Sequence, residues 1–151
     1  MRPERSIIRG YTTFCDDIRQ EVGGKVSFMG IYNSVLIPDA PFPVTLQKLC
    51  AATSIRLYRD EEVPRQFDLK VWIPGQDDPL LTSNVEIPDL PFPALEPNTP
   101  DHVDGFYTIN LNLIMAPLPL VQEGFIRVRA YVGGAEWKLG ALNVVRAQST
   151  Q

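Results

Sequence analysis

Apolar and polar residues alternate along much of this chain with a period of two, the pattern of strands that bury one face. Over residues 66–73, Phe67, Leu69, Val71 and Ile73 share one face, and Gln66, Asp68, Lys70 and Trp72 the other. Residues 105–115 repeat the pattern: Tyr107, Ile109, Leu111, Leu113 and Met115 alternate with Thr108, Asn110 and Asn112. Over 125–132, Ile126, Val128, Ala130 and Val132 form the apolar set, while Phe125, Arg127, Arg129 and Tyr131 point outward. Gly133-Gly134 then predicts a two-residue hairpin turn, where positive φ costs glycine little. The return strand carries Ala135, Trp137, Leu139 and Ala141 on the matching face.

Earlier segments follow less regularly. Residues 7–19 and 25–37 read as one hairpin about Val22-Gly23-Gly24, and 80–87 is rich in strand formers. Residues 44–59 fit two patterns: Leu46, Leu49, Cys50, Thr53 and Leu57 suit a helix face, and Ala51, Thr53, Ile55 and Leu57 suit a strand. Pro41, Pro43 and the β-friendly Thr53-Ser54-Ile55 favour a strand from about residue 50 to 59. The total is about eight strands separated by turn residues, without the strand–helix alternation of a parallel sheet. The economical architecture is all-β: two antiparallel sheets packed as an Ig-like or C2-like sandwich. A closed β-barrel is the alternative. The chain reads as one domain over 1–151 with a polar tail at 148–151.

Composition sharpens this picture at the prolines. There are 14 in 151 residues, about twice the usual ~5% share. Ile37-Pro-Asp-Ala-Pro-Phe-Pro43 recurs as Ile87-Pro-Asp-Leu-Pro-Phe-Pro93. Each copy follows an apolar strand and ends ladder pairing by removing N–H donors. The simple reading is a rigid strand exit with Phe42 or Phe92 over the core edge; the functional one is an exposed proline–aromatic docking surface. If every connection reverses direction, the copies lie at opposite ends of the sandwich. The second opens the longest loop, residues 88–104.

Charge and cysteine content narrow the function classes. Eighteen acids against 14 bases give a net charge of −4, so general attraction to nucleic acid or anionic lipid is not expected. No apolar stretch approaches the ~18–20 residues of a spanning helix. The N-terminal residues lack the apolar core of a signal peptide. The expectation is a cytoplasmic protein in which Cys15 and Cys50 are reduced, buried thiols. An intersheet disulfide and a reactive thiol are the alternatives.

Candidate chemistry is sparse. In the polar stretch 15–21, Asp17, Arg19 and Glu21 share one strand face with alternating sign, as a solvated salt-bridged edge would. Asp16 falls with Phe14 and Ile18 on the inner face, so it is expected to be buried and held by backbone N–H groups or an arginine. Asp77-Asp78 sits in a turn remote from the acidic Asp101–Asp104 loop, which disfavours calcium. His102 is the only histidine, which argues against multi-histidine metal sites and catalytic triads. No catalytic residue, metal or cofactor is expected. The sharper feature is the C-terminal hairpin, whose two-residue turn sets Arg129 opposite Lys138 and Tyr131 opposite Glu136. Like charges directly opposed are unfavourable unless an acid or anion intervenes. Phe125, Arg127, Arg129, Tyr131 and Lys138, with Phe92, form the candidate interaction surface.

The runs Cys15-Asp-Asp-Ile-Arg-x-Glu21 and Gly24-Lys25-Val-Ser27-x-x-Gly30-Ile31-Tyr32 resemble the opening of a bacterial domain-of-unknown-function family whose members have about this length. Phe42-Pro43-x-Thr-Leu-x-Lys48-Leu49-Cys50 and Gly140-x-Leu142-x-Val144 are similar to it as well. The resemblance implies a small bacterial or phage-borne β protein and no particular reaction. The expected role is a non-enzymatic protein-interaction or assembly module whose partner is a protein, a second copy of the chain included. The alternative is a module binding a small ligand, a carbohydrate or calcium.

Overall fold

A computed structural model describes residues 10–58, 64–89 and 106–148. It contains strands and no helix among these residues. β1 (Gly10–Gln20), β2 (Val26–Ile31), β5 (Leu49–Tyr58) and β8 (Phe106–Met115) form a four-stranded antiparallel sheet in the order β2-β1-β5-β8. β3 (Val35–Leu36), β6 (Gln66–Trp72), β7 (Leu81–Glu86), β10 (Gly124–Val132) and β11 (Ala135–Val144) form the second sheet in the order β3-β11-β10-β6-β7. β4 (Val44–Leu46) and β9 (Leu118–Leu120) pair as a short ribbon. Among the described residues the two larger sheets stay open, with β2 and β8 at the edges of one and β3 and β7 at the edges of the other. The protein is a β-sandwich and not a barrel.

The two-residue periods build the core. Phe67, Leu69, Val71 and Ile73 are buried, as are Ile126, Val128 and Ala130 from the neighbouring strand. From the facing sheet come Phe14, Leu49, Ala51, Ile55 and Leu57. Leu118 and Leu120 of the ribbon are fully buried, so β4 and β9 cap the core. β5 settles the ambiguity in favour of a strand over residues 49–58. A helix there would have lost the ladders to β1 and β8.

Three sequence readings are corrected. Residues 25–37 are not one strand. β2 ends at Ile31, the chain crosses between sheets through Ser34 at φ 85°, and β3 pairs parallel with β11. Asn143 N–H donates to Ser34 O and Val145 N–H to Leu36 O, so this crossing stitches the two sheets together. Second, Ala141 is exposed, while Leu142 and Val144 are buried. The ladder slips by one residue between Val128 and Arg129, where Val128 faces Gly140 but Arg129 faces Lys138. That bulge exchanges the faces of everything beyond Leu139. The hairpin turn itself forms as read, with Gly133 and Gly134 at φ 53° and 88°.

The third correction is Asp16, which is exposed. β1 leaves β5 at the Cys15–Cys50 pair and continues as a two-stranded arm with β2 alone. Asp16 does share a face with Phe14, but past Cys15 no second layer among the described residues covers that face.

The first proline segment follows the simple reading. Pro38 is buried, and Phe42 packs against the core. Ile37 leaves the five-stranded sheet beside Val144, whereas Ile87 leaves it beside Arg65, at the opposite end. Phe92, His102 and the Asp101–Asp104 loop lie outside the described residues.

Candidate functional site

The outward face of the C-terminal hairpin holds most of the residues singled out in the sequence. Arg129 indeed faces Lys138, and on its other side it faces Lys70, so three cations share one rung. The conflict is relieved within the chain. Arg129 Nε lies 3.5 Å from Glu136 Oε1, and its Nη1 donates to the carbonyls of Val128 (2.9 Å) and Gly140 (3.2 Å). The Arg129 side chain is only 13% exposed, laid along the sheet over the bulge. Lys70 Nζ stands 5.2 Å from the Tyr131 ring centroid, and the Tyr131 hydroxyl donates to Glu136 Oε2 at 3.2 Å. Burial, then the neighbouring Glu136 carboxylate, pushes the Tyr131 phenol up.

Arg127 faces Trp72 across the ladder and stacks over its ring at 5.6 Å, and Trp72 meets Tyr131 edge-on at 5.8 Å. Such cation–π contacts at exposed positions contribute about 0.5–1 kcal/mol each. Phe125 at the strand's start is exposed. The structure therefore brings Arg127, Arg129, Tyr131 and Lys138 onto one face and adds Trp72, Lys70 and Glu136 to it. Arg129 is the least free of them to meet a partner.

The second cluster lies where β1 bends. Cys15 Sγ donates to Asp17 O (3.4 Å), and Cys50 Sγ donates to Asp16 O (3.8 Å). The backbone thus turns back over the sheet's outer face and covers both thiols. Both cysteines are fully buried and free, and they stand opposite one another in the same sheet, which rules out an intersheet disulfide. Burial raises both thiol pKa values. Neither thiol is expected to react with a chromogenic aryl disulfide in the folded protein at neutral pH; both should react after denaturation. Fast labelling of the native chain would show that the bend opens.

Asp17, half-buried, accepts hydrogen bonds from Lys48 Nζ and from its neighbour's backbone, Ile18 N–H. Lys48 holds its carboxyl below the usual carboxylate range. Arg19 approaches Asp17 at 3.9 Å, and Glu21 N–H donates to Lys25 O at 2.7 Å to close the hairpin. Asp16, exposed on the other face, accepts a 2.6 Å hydrogen bond from the Tyr32 hydroxyl. It lies against Gly30, where a side chain would overlap its carboxylate. Burial first and this bond second push the Tyr32 phenol up to about 12. Among the described residues, no three of His, Cys, Asp and Glu converge as a metal site.

Sequence reasoning missed the arm's exposed hydrophobics. Val22, Val26, Phe28, Met29 and Ile31 are 93%, 44%, 37%, 42% and 54% exposed. From Val26 to Ile31 no charge interrupts the strand, and its outer edge pairs with nothing among the described residues. The signal was available in Val26-Ser-Phe-Met-Gly-Ile31, which is apolar on both faces, but such a run reads equally well as a buried central strand.

Fold and surfaces together define a small β-sandwich whose distinctive exposed features are a projecting strand edge and a cation–aromatic sheet face. Within that class, the chain belongs to DUF6941, a family of unknown function whose sequence model matches residues 10–145. Membership bears out the resemblance carried by the motifs at 15–32 and 42–50. No curated protein and no solved structure matches the chain. No helix among the described residues is long and apolar enough to cross a membrane.

Proposed function

We propose that this protein is a non-enzymatic assembly module that pairs with a second copy of itself through the edge of β2. One observation carries the reading: an uncharged edge strand with exposed hydrophobics on both faces. Natural proteins guard such edges with charges, prolines or covering loops, because open ladders pair with other chains. Between Val26 and Ile31 β2 carries no charge and no proline, and no strand among the described residues pairs with its outer edge. Strand addition would satisfy its free N–H and C=O groups, and its side chains would supply the apolar contact. The antiparallel pairing of two β2 strands is two-fold symmetric and closes at a dimer. The bacterial cytoplasm suits a chain whose two thiols are reduced and shielded.

Light scattering after size exclusion should give a dimer at micromolar concentration. Ile31→Lys should shift the mass toward the monomer while leaving the melting behaviour of the isolated subunit intact. A wild-type chain that stays monomeric to several hundred micromolar would sink the proposal.

A further inference from the structure

We infer that the outer face of the four-stranded sheet binds an uncharged, polyhydroxylated ring the size of a monosaccharide. The site is a cavity of about 350 Å³ between that face and the β1–β2 arm. Small-molecule sites occupy roughly 300–1,000 Å³, so one ring fits and a large ligand does not.

The strand register builds the cavity. Thr13, Ala52 and Asn112 stand side by side on one rung, and Tyr11, Ser54 and Asn110 on the next rung of the same face. The middle column, on β5, carries only the short side chains of Ala52 and Ser54. The outer columns are taller and lie two strand spacings apart, about 9–10 Å, with roughly 7 Å between rungs. The result is a trough with a low floor and two polar walls. Gln20, Val26 and Phe28 overhang it from the arm.

The lining chemistry selects the ligand. Among the described residues no Asp, Glu, Lys, Arg or His takes part. A phosphate or carboxylate would enter without a cation to meet it, and a metal ion without carboxylate or imidazole ligands. The polar groups are instead hydroxyls (Tyr11, Thr13, Ser54) and amides (Gln20, Asn110, Asn112). Each of them both donates and accepts, as sugar hydroxyls do. Phe28 and Val26 present apolar surface to the C–H face of the same ring. The inference is independent of self-association, since Val26 and Phe28 lie on one face of β2 and Met29 and Ile31 on the other.

Saturation-transfer NMR on the full chain tests it, with glucose, galactose, mannose and N-acetylglucosamine as probes and inorganic phosphate as charged competitor. Transfer to at least one sugar is expected, unaffected by phosphate. The double variant Asn110→Ala/Asn112→Ala removes two exposed amides and should weaken binding about tenfold or more. Ser54→Val, which raises the floor with a strand-favouring side chain, should do the same. Circular dichroism and melting curves identify any variant that has lost its fold. Absence of transfer to all four sugars overturns the inference, as does transfer that survives both variants or is competed by phosphate.

Discussion

Leu69→Ala is expected to lower the free energy of unfolding by about 2–5 kcal/mol, the range for deleting most of a large aliphatic side chain from a core that relaxes only partly. Leu69 is fully buried at the centre of β6. Its strand lies between β7 and β10, so the ladder on either side holds the backbone in place. Leu69 sits opposite Ala130, whose methyl group cannot grow into the space left behind. The loss should appear as a lower urea midpoint at constant slope, since the surface exposed on unfolding barely changes. Asp68→Ala, one residue away on the outer face, is the control. Among the described residues, Asp68 accepts an exposed hydrogen bond from Asn84, so its removal should cost about 0.5 kcal/mol or less. Equal losses at the two positions would mean that β6 does not alternate between core and solvent.

Gly30→Ala is expected to cost about 2 kcal/mol or more, from two sources. Gly30 adopts φ 68°, a left-handed conformation that costs an L-residue about 1–2 kcal/mol. A methyl group there would also displace the Asp16 carboxylate and with it the Tyr32 hydrogen bond, a loss of roughly 1 kcal/mol. The second part has its own signature. Tyr32 in the folded protein titrates near 12 against an ordinary 10. A raised phenol pKa favours the neutral form in the fold, so its contribution to stability is complete below pH 10 and fades as pH climbs toward 12. In an ultraviolet titration of the wild type, two phenols should ionise late, that of Tyr131 and that of Tyr32. In the Gly30 variant the Tyr32 phenol should ionise earlier, though not at the ordinary value, because burial is the larger cause. Combining Gly30→Ala with Asp16→Ala removes the overlap, so the two losses should be less than additive. A variant as stable as the wild type would mean that the arm is not held in this conformation.

Much of the architecture is legible in the alternation. β6, β8 and β10 are visible residue by residue, and the two glycines at 133–134 determine the pairing of Arg129 with Lys138. The slip at Leu139 is not, because an isolated glycine in a strand, as Gly140 is, marks either a bulge or a close backbone approach and does not say which. The misplacement of Asp16 has a different origin. Periodicity assigns a residue to a face, but only the partner strand's length decides whether another layer lies over that face. β5 ends its pairing with β1 at Cys50, so the same pattern that buries Phe14 leaves Asp16 in water. Conversely, Cys15 and Cys50 are on the outward face and are buried by the chain's own backbone folding over them.

The candidate surfaces were legible in a similar measure. The cations and aromatics of β10 were found, but not their internal solution through Glu136 and the carbonyls of the bulge. Asn110 and Asn112 read as ordinary outward residues. Their meaning depends on Ala52 and Ser54 being short between them, which requires knowing that β5 runs down the middle.

The parallel pairing of β3 with β11 has a bearing on how the chain comes to fold during its synthesis. β11 lies inside the five-stranded sheet, between β3 and β10, yet of the described strands it is the last to be made. Residues 35–36 therefore wait more than a hundred positions for their partner. Until residue 144 is free to pair, the growing chain carries an incomplete second sheet and bare apolar faces. Nascent chains of this kind are exposed to aggregation in proportion to that delay. Slower elongation through β10 and β11 should therefore lower the yield of folded protein more than the same slowing through β1 and β2.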